Sequence, residues 1–451
     1  MKKTTENISG NSISKATKKY DTTPFDTRRV PPKQNLFFMP FIWAACWVLT
    51  RSGKLKIHKV NMKGLKPPYL VLGTHHAFMD FYITPLALFP HRANYVSELE
   101  GFENYGEWLY RQVGCLGTRK FINDINLVKN IQRVMKRKGI LVLYPEARYA
   151  NVGTSSELPA STGKLVKLLG VPLVTINMKG NYLQSPIWNL RKRSGVKLDT
   201  TLTQVLTAEE VKTKSVREIN ELISKHLAYD EYKYQLDNNM KISYKDRAKG
   251  LHMPLYQCIC CGEEFAMKSR GTKLSCTSCN TTWEMDELGR LLKTNTVDKA
   301  EKKNVDITNS KTEVNAQINN KLHLHIPDWY EWERSQVIKQ IDEGKYELKC
   351  KVKIEALPNA KNFIPCGEGT LVHKKEGFYL TFKDYRDTEE QTMFFSSKSL
   401  FSIHTEYDYR DKYGQCVTLS TDNDTYFIFP LEGGFNPTKI QFATEYLHKK
   451  K

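Results

Sequence analysis

The chain reads as an α/β protein with a mainly parallel sheet and flanking helices, to which a small Cys-rich module and a β-rich C-terminal domain are added. Three observations predict this. From about residue 55 to 230, short apolar runs alternate with stretches of helical period, as a parallel sheet with crossover helices requires. Four cysteines then fall in two Cys-x-x-Cys pairs. Beyond residue 323 the pattern turns to period-two alternation.

Taken in order, Tyr69–Gly73 (YLVLG) reads as a buried strand and Ala93–Val96 as another. Asn126–Lys138 places Val128, Ile131, Val134 and Met135 on one helical face, with Gly139 where a helix C′ residue belongs. Ile140–Tyr144 follows as a strand. A helix over Ser161–Leu169 stops at Gly170, and Pro172–Ile176 begins the next strand. Two capping boxes, Thr207 to Glu210 and Ser215 to Glu218, open helices, the second carrying Ile219, Leu222, Ile223 and Leu227 inward. The predicted organisation is a polar basic arm (1–34), the α/β domain with an N-terminal membrane-associating helix (35–230), and a helical connector (231–253). The Cys-rich module (254–292), a linker (293–322) and the β-rich domain (323–451) follow. In the last, strands are expected near 347–356, 377–382, 400–405, 416–421 and 425–429, with a closing helix over 438–449, as in pleckstrin-homology-like domains.

A content of 40% hydrophobic and 11% aromatic residues fits folded domains and excludes a disordered polymer. The net charge of +19 points to an acidic partner, and residues 1–60 alone hold twelve Lys/Arg against three Asp/Glu. No secretory signal pattern is present at the start. Leu36–Thr50 (LFFMPFIWAACWVLT) is too short to span a bilayer and contains Pro40. Arg28, Arg29 and Lys33 before it, and Arg51, Lys54 and Lys56 after it, suit a helix lying on an anionic membrane surface with Trp43 and Trp47 at headgroup depth. That predicts a peripheral or monotopic protein on the cytoplasmic face of a membrane. The alternative is a helix that caps the core of the next domain.

The segment that carries chemistry is Leu72–Tyr82 (LGTHHAFMDFY), directly after a strand, where α/β folds place reactive groups. His75 and Asp80 are five residues apart, so a turn entering a helix brings the carboxylate to the imidazole. A carboxylate on Nδ1 fixes the tautomer that leaves Nε2 as a base. His76 has the wrong spacing for that role and is a candidate substrate contact.

Together with three later segments, this run resembles the glycerolipid acyltransferase family, which includes lysophosphatidic acid and glycerol-3-phosphate acyltransferases. His75 and Asp80 match its His-x-x-x-x-Asp motif, with Thr74 where many members have Asn. Gly117-Thr118-Arg119-Lys120-Phe121-Ile122 matches the second motif, in which a basic residue grips the acceptor phosphate, here Arg119 or Lys120. Tyr144-Pro145-Glu146-Ala147-Arg148 stands for the usual Pro-Glu-Gly-Thr-Arg, with the arginine one residue early. Gly170-Val171-Pro172-Leu173-Val174 matches the fourth. The resemblance covers roughly residues 36–230. It implies an O-acyltransferase with His75 and Asp80 catalytic and Arg119, Lys120, Glu146 and Arg148 toward substrate. The implied donor is acyl-CoA or an acyl carrier protein, and the acceptor a lysophospholipid such as 1-acyl-glycerol-3-phosphate in phospholipid synthesis.

Cys258, Cys261, Cys276 and Cys279, with fourteen residues between the pairs, form a Cys₄ zinc-ribbon pattern, and Gly262 and Asn280 suit its tight turns. Four thiolates leave no open position for water, so the expected Zn²⁺ is structural. Cys260 is a fifth cysteine inside the first knuckle. Lys268, Arg270 and Lys273 are offset by Glu263, Glu264, Glu284, Asp286 and Glu287, which argues against nucleic acid as a partner. Trp329, Tyr330 and Trp332 are either a docking patch or core. The rival reading is a zinc-ribbon nucleic-acid-binding or regulatory protein with a non-catalytic α/β domain.

Overall fold

The computed structural model describes residues 20–294, 324–409 and 414–450. Strands β1 (Lys56–Val60), β2 (Tyr69–Gly73), β3 (Asn94–Glu98), β4 (Cys115–Thr118), β5 (Ile140–Leu143), β6 (Leu173–Lys179) and β7 (Asp199–Leu206) form one sheet in the order β1-β7-β6-β2-β5-β3-β4. Every neighbouring pair is parallel except β6 with β7. The chain leaves β2 toward β3 and β4, returns to β5, and then crosses to the far side of β2 for β6. That reversal opens a crevice at the carboxyl ends of the central strands.

Side-chain alternation fills both faces. Tyr69, Val71, Val142 and Ile176 pack with Ile83 and Ala87 of the helix Asp80–Leu88. Leu70, Leu72, Leu141 and Leu173 face the helices Ile125–Lys136, Ser161–Leu169 and Val216–Leu227 through Ile131, Val134, Val166, Ile219 and Ile223. Both expected capping boxes are present in full. At the end of Ile125–Lys136 the left-handed residue is Lys138 (φ +57) rather than Gly139. Gly139 is needed for another reason: a Cβ there would stand 2.8 Å from Val134 Cγ1.

The Cys-rich module forms an antiparallel sheet in the order β11-β10-β9-β8, from β8 (Met267–Arg270), β9 (Lys273–Cys276), β10 (Thr282–Met285) and β11 (Leu291–Thr294). Lys293 and Thr294, expected in the linker, end β11; residues 295–322 of that linker lie outside the described residues. After the helix Ile326–Asp342, a seven-stranded antiparallel sheet has the order β15-β14-β13-β12-β18-β17-β16. Its strands are β12 (Leu348–Leu357), β13 (Ile364–Lys374), β14 (Gly377–Phe382), β15 (Gln391–Ser396), β16 (His404–Glu406), β17 (Cys416–Ser420) and β18 (Thr425–Pro430), followed by the helix Pro437–Lys449.

These units share a core. Tyr182 and Trp188 of the α/β domain, Trp283 of the Cys-rich module, Trp329 and Tyr330, and Phe442 of the last helix belong to one buried cluster. Trp329 and Tyr330 are therefore core, with the Trp283–Trp329 rings 4.8 Å apart. Most of the basic arm lies outside the described residues, but 20–34 is strapped to the fold. Phe25 N donates to Pro358 O, and the Pro31 and Pro32 carbonyls accept from Arg137. Pro40 does not interrupt the apolar N-terminal stretch. It sits in the first turn of the helix Met39–Thr50, where its missing N–H has no partner to lose. No helix among the described residues is long and apolar enough to cross a membrane.

Candidate active site

β2 ends at Gly73, and the next residues turn across the crevice into the helix Asp80–Leu88. Asp80, fully buried, closes this turn: Oδ2 accepts from His76 N at 2.7 Å and Ala77 N at 3.2 Å. The same oxygen lies 3.1 Å from His75 Nδ1, and Oδ1 accepts from Asn181 Nδ2 at 2.6 Å. The sequence spacing thus becomes a hydrogen-bonded His–Asp pair whose carboxylate is held from both sides.

The imidazole of His75 is fixed by rings as well. It stacks on Tyr144 with centroids 4.6 Å apart and planes at 19°, and meets Phe81 edge-on. Gly73 makes room for this stack, since a Cβ there would stand 2.7 Å from Tyr144 Cε1. His75 lines a cavity of about 490 Å³ with segments following β2, β3, β4 and β5, including Glu98, Arg119, Lys120, Phe121 and Ala147. The size suits an organic substrate.

Glu146 does not face that cavity. It is buried and accepts from His75 N at 3.2 Å, Ser156 N at 2.9 Å and Tyr229 Oη at 3.2 Å. Burial raises its carboxyl above the ordinary range, although the amides of Ser156 and His75 oppose this. Its place in the fold is to hold the backbone of His75, a positioning task rather than the expected substrate contact. Ala147 beside it stands at φ +55, a region glycine enters freely and other residues at roughly 1 kcal/mol.

The three cations expected at an anion are engaged with protein groups. Arg119 is 4% exposed and donates to the carbonyls of Pro358 at 2.7 Å, Asn423 at 2.6 Å and Asp422 at 3.1 Å. Lys120 is paired with Glu98 and lies 3.0 Å from His404 Nδ1. Arg148 donates from Nη2 to Glu445 Oε1 at 2.8 Å, and its Nη1 is buried without a hydrogen-bond partner among the described residues. Glu445 also binds Arg334 at 2.7 Å and accepts from Ser402 Oγ. Burial would raise its carboxyl, but Arg148 and Arg334 outweigh that and hold it below the ordinary range. Glu445→Ala should destabilise the fold by roughly 3–5 kcal/mol, because the buried Arg148 guanidinium loses its counter-ion while Arg334 keeps only Glu331. Urea denaturation checks this, and a change under 1 kcal/mol would show the cluster to be well solvated.

His76 is fully buried against Tyr229, so it does not reach substrate as expected. Burial lowers it to about 4. Its Nδ1 faces Glu231 at 3.6 Å, and Glu231 is pushed up to about 8 by burial while accepting from Gly180 N. A raised folded value means that the fold keeps a proton the unfolded chain releases. The resulting stability is present below the ordinary value of 4.5 and lost as pH rises to about 8. Glu231→Gln, neutral throughout, should lose less Tm across that window than the parent; parallel Tm–pH curves would contradict the assignment.

In the Cys-rich module the Sγ atoms of Cys258, Cys261, Cys276 and Cys279 all lie within 4.8 Å of one another. Cys258–Cys279 and Cys261–Cys276 are 3.7 and 3.8 Å apart. Tetrahedral Zn²⁺ with bonds of about 2.3 Å sets its sulfurs about 3.8 Å from each other, so the four thiols fit the ion. Gly262 (φ +77) and Asn280 (φ +57) make the left-handed turns that close the two knuckles. Cys260 stands outside this group.

Sequence reasoning missed Asn181, Tyr144, Tyr229 and Glu445. Only the glycine at 73 signals the close packing of an aromatic ring there.

No family model matches the chain, and no curated protein matches it. Among solved structures, the 1-acyl-sn-glycerophosphate (LPA) acyltransferase of Thermotoga maritima overlaps with a TM-score of 0.36 at 12% identity, over 42% of this chain and 76% of that one.

Proposed function

We propose that the chain is an O-acyltransferase that moves a fatty acyl group from a thioester, acyl-CoA or acyl carrier protein, to the free hydroxyl of a lysophospholipid at a membrane surface. The observation that carries this reading is the His75–Asp80 pair on the wall of a cavity at the carboxyl ends of the central strands. With Nδ1–H held by Asp80, Nε2 takes the proton of the acceptor hydroxyl as its oxygen attacks the thioester carbonyl. The tetrahedral intermediate collapses, the C–S bond breaks, and the imidazolium returns its proton to the leaving thiolate. Zn²⁺ on the four cysteines would hold the knuckles together and takes no part in these steps.

The membrane reading is supported by exposed apolar side chains. Leu36, Phe37, Phe41, Trp47 and Val48 are all more than half exposed, and Trp108 extends the surface through its contact with Phe38. A patch of this kind marks an interaction surface.

Lysophosphatidic acid is the acceptor that the family motifs imply. The pairing of Arg119, Lys120 and Arg148 favours a second reading, a lysolipid without a phosphate monoester, because each cation would first have to leave its present partner. Transfer of labelled acyl groups from both donors to lysophosphatidic acid, lysophosphatidylcholine and monoacylglycerol tests both. No product with any acceptor would sink the enzyme reading and return attention to a non-catalytic, nucleic-acid-binding or regulatory role.

A further inference from the structure

We propose that the outer face of the Cys-rich module is an electrostatic foot that rests on anionic lipid headgroups beside the apolar N-terminal helix. The proposal rests on the membrane-surface reading and gives the module a task that reading leaves open.

In sequence, the basic and acidic residues of the module nearly cancel. Folding gathers three of the cations on the β8–β9 hairpin. Glu264 turns toward the C-terminal domain, onto Lys439 at 2.5 Å and Gln340 at 2.8 Å. Asp286 is occupied by Arg290 at 2.6 Å, and Glu284 accepts from Thr272 Oγ1 at 3.1 Å. On the face formed by β8 and β9 the cations outnumber the acids, with Glu284 of β10 standing across from Lys273. Lys268 and Arg270, two apart on the edge strand β8, share a face. Lys273 stands directly across from Arg270, joined to it by the two-residue turn Gly271–Thr272. Like charges placed directly opposite cost a hairpin stability, so the fold gains nothing from this pair. Lys245 lines the same groove. Lys245, Lys268, Arg270 and Lys273 are exposed, and none is in an ion pair with a described residue.

This cationic surface continues to the apolar helix through direct contacts. Ala248 N donates to Gly271 O at 3.0 Å, which ties the 245–249 segment to the hairpin turn. Asn189 Nδ2 donates to the carbonyls of Asp246 and Lys249 at 2.9 and 3.0 Å. Three residues on, Lys192 Nζ reaches Leu49 O at the end of the helix Met39–Thr50, where Arg51 lies over the ring of Trp47. A charged belt that ends on exposed Trp, Phe and Val matches a bilayer, with anionic headgroups over an apolar interior. An acidic protein or a nucleic acid has no use for the apolar end.

The test uses the full, zinc-loaded chain and flotation with vesicles of phosphatidylcholine alone or with added phosphatidylglycerol. K268Q/R270Q/K273Q should lose on the order of 10²-fold in affinity for the anionic vesicles. Its binding to neutral vesicles, its zinc content and its Tm should stay unchanged. Neutralising Lys212, Arg217 and Lys225, on helices of the other face, should have little effect. Retained anionic affinity in the hairpin variant would overturn the foot while leaving the membrane reading intact. Absence of wild-type binding to any vesicle would remove both. Loss of binding to acyl carrier protein or to duplex DNA, with vesicle binding unaffected, would reassign the surface to that partner.

Discussion

Replacing His75 by alanine should abolish the proposed acyl transfer, with kcat/KM falling by at least roughly 10²–10⁴-fold, the usual worth of a general base. The fold should survive. His75 has its side chain at the cavity wall, and Asp80 keeps its bonds from His76 N, Ala77 N and Asn181 Nδ2. Tm and zinc content should therefore match the parent. Asn181→Ala offers a finer check, since Asn181 acts through Asp80 and touches no cavity wall. It should lower kcat more than it raises KM, as a residue that only orients the base does. Turnover that persists in His75→Ala removes the mechanism.

Stripping the metal, or replacing Cys276 by serine, should cost at least ~5 kcal/mol and lower Tm by roughly 10 °C. The size follows from where the module sits. Trp283 and Cys276 belong to the cluster that also holds Trp188, Trp329 and Phe442, so loosening the knuckles opens a core used by three parts of the chain. Cys260→Ser should keep full metal content, because Cys260 lies outside the four-sulfur group. Calorimetry with parallel metal analysis checks both; an unchanged Tm in the metal-free protein would show that the cysteines are peripheral to the core.

Local signals reached far in the α/β domain. Tyr69–Gly73, Ser161–Leu169 and both capping boxes were legible because apolar runs, a terminal glycine and Ser/Thr-to-Glu spacing are short-range features. β1, β4 and β7 were not read: β1 is mostly exposed with charged residues, β4 has four residues, and β7 alternates threonines. The spacing of His75 and Asp80 indicated their contact, since five residues suffice for the turn. The partners of Arg119 and Arg148 were invisible, because Pro358 and Glu445 lie 239 and 297 residues away. The cations look free along the chain and are bound in space.

That separation has a consequence for biosynthesis. The loop bearing Glu146 and Arg148 leaves the ribosome long before Glu445, Gln441 and Tyr330, which hold Arg148 and Asn151 in place. A nascent chain thus presents its apolar helix Met39–Thr50 early, while the crevice beside His75 is still unbraced. Under the proposed function, such a chain would meet its membrane before the crevice is braced, and its chemistry would wait for the segment around Glu445 to fold.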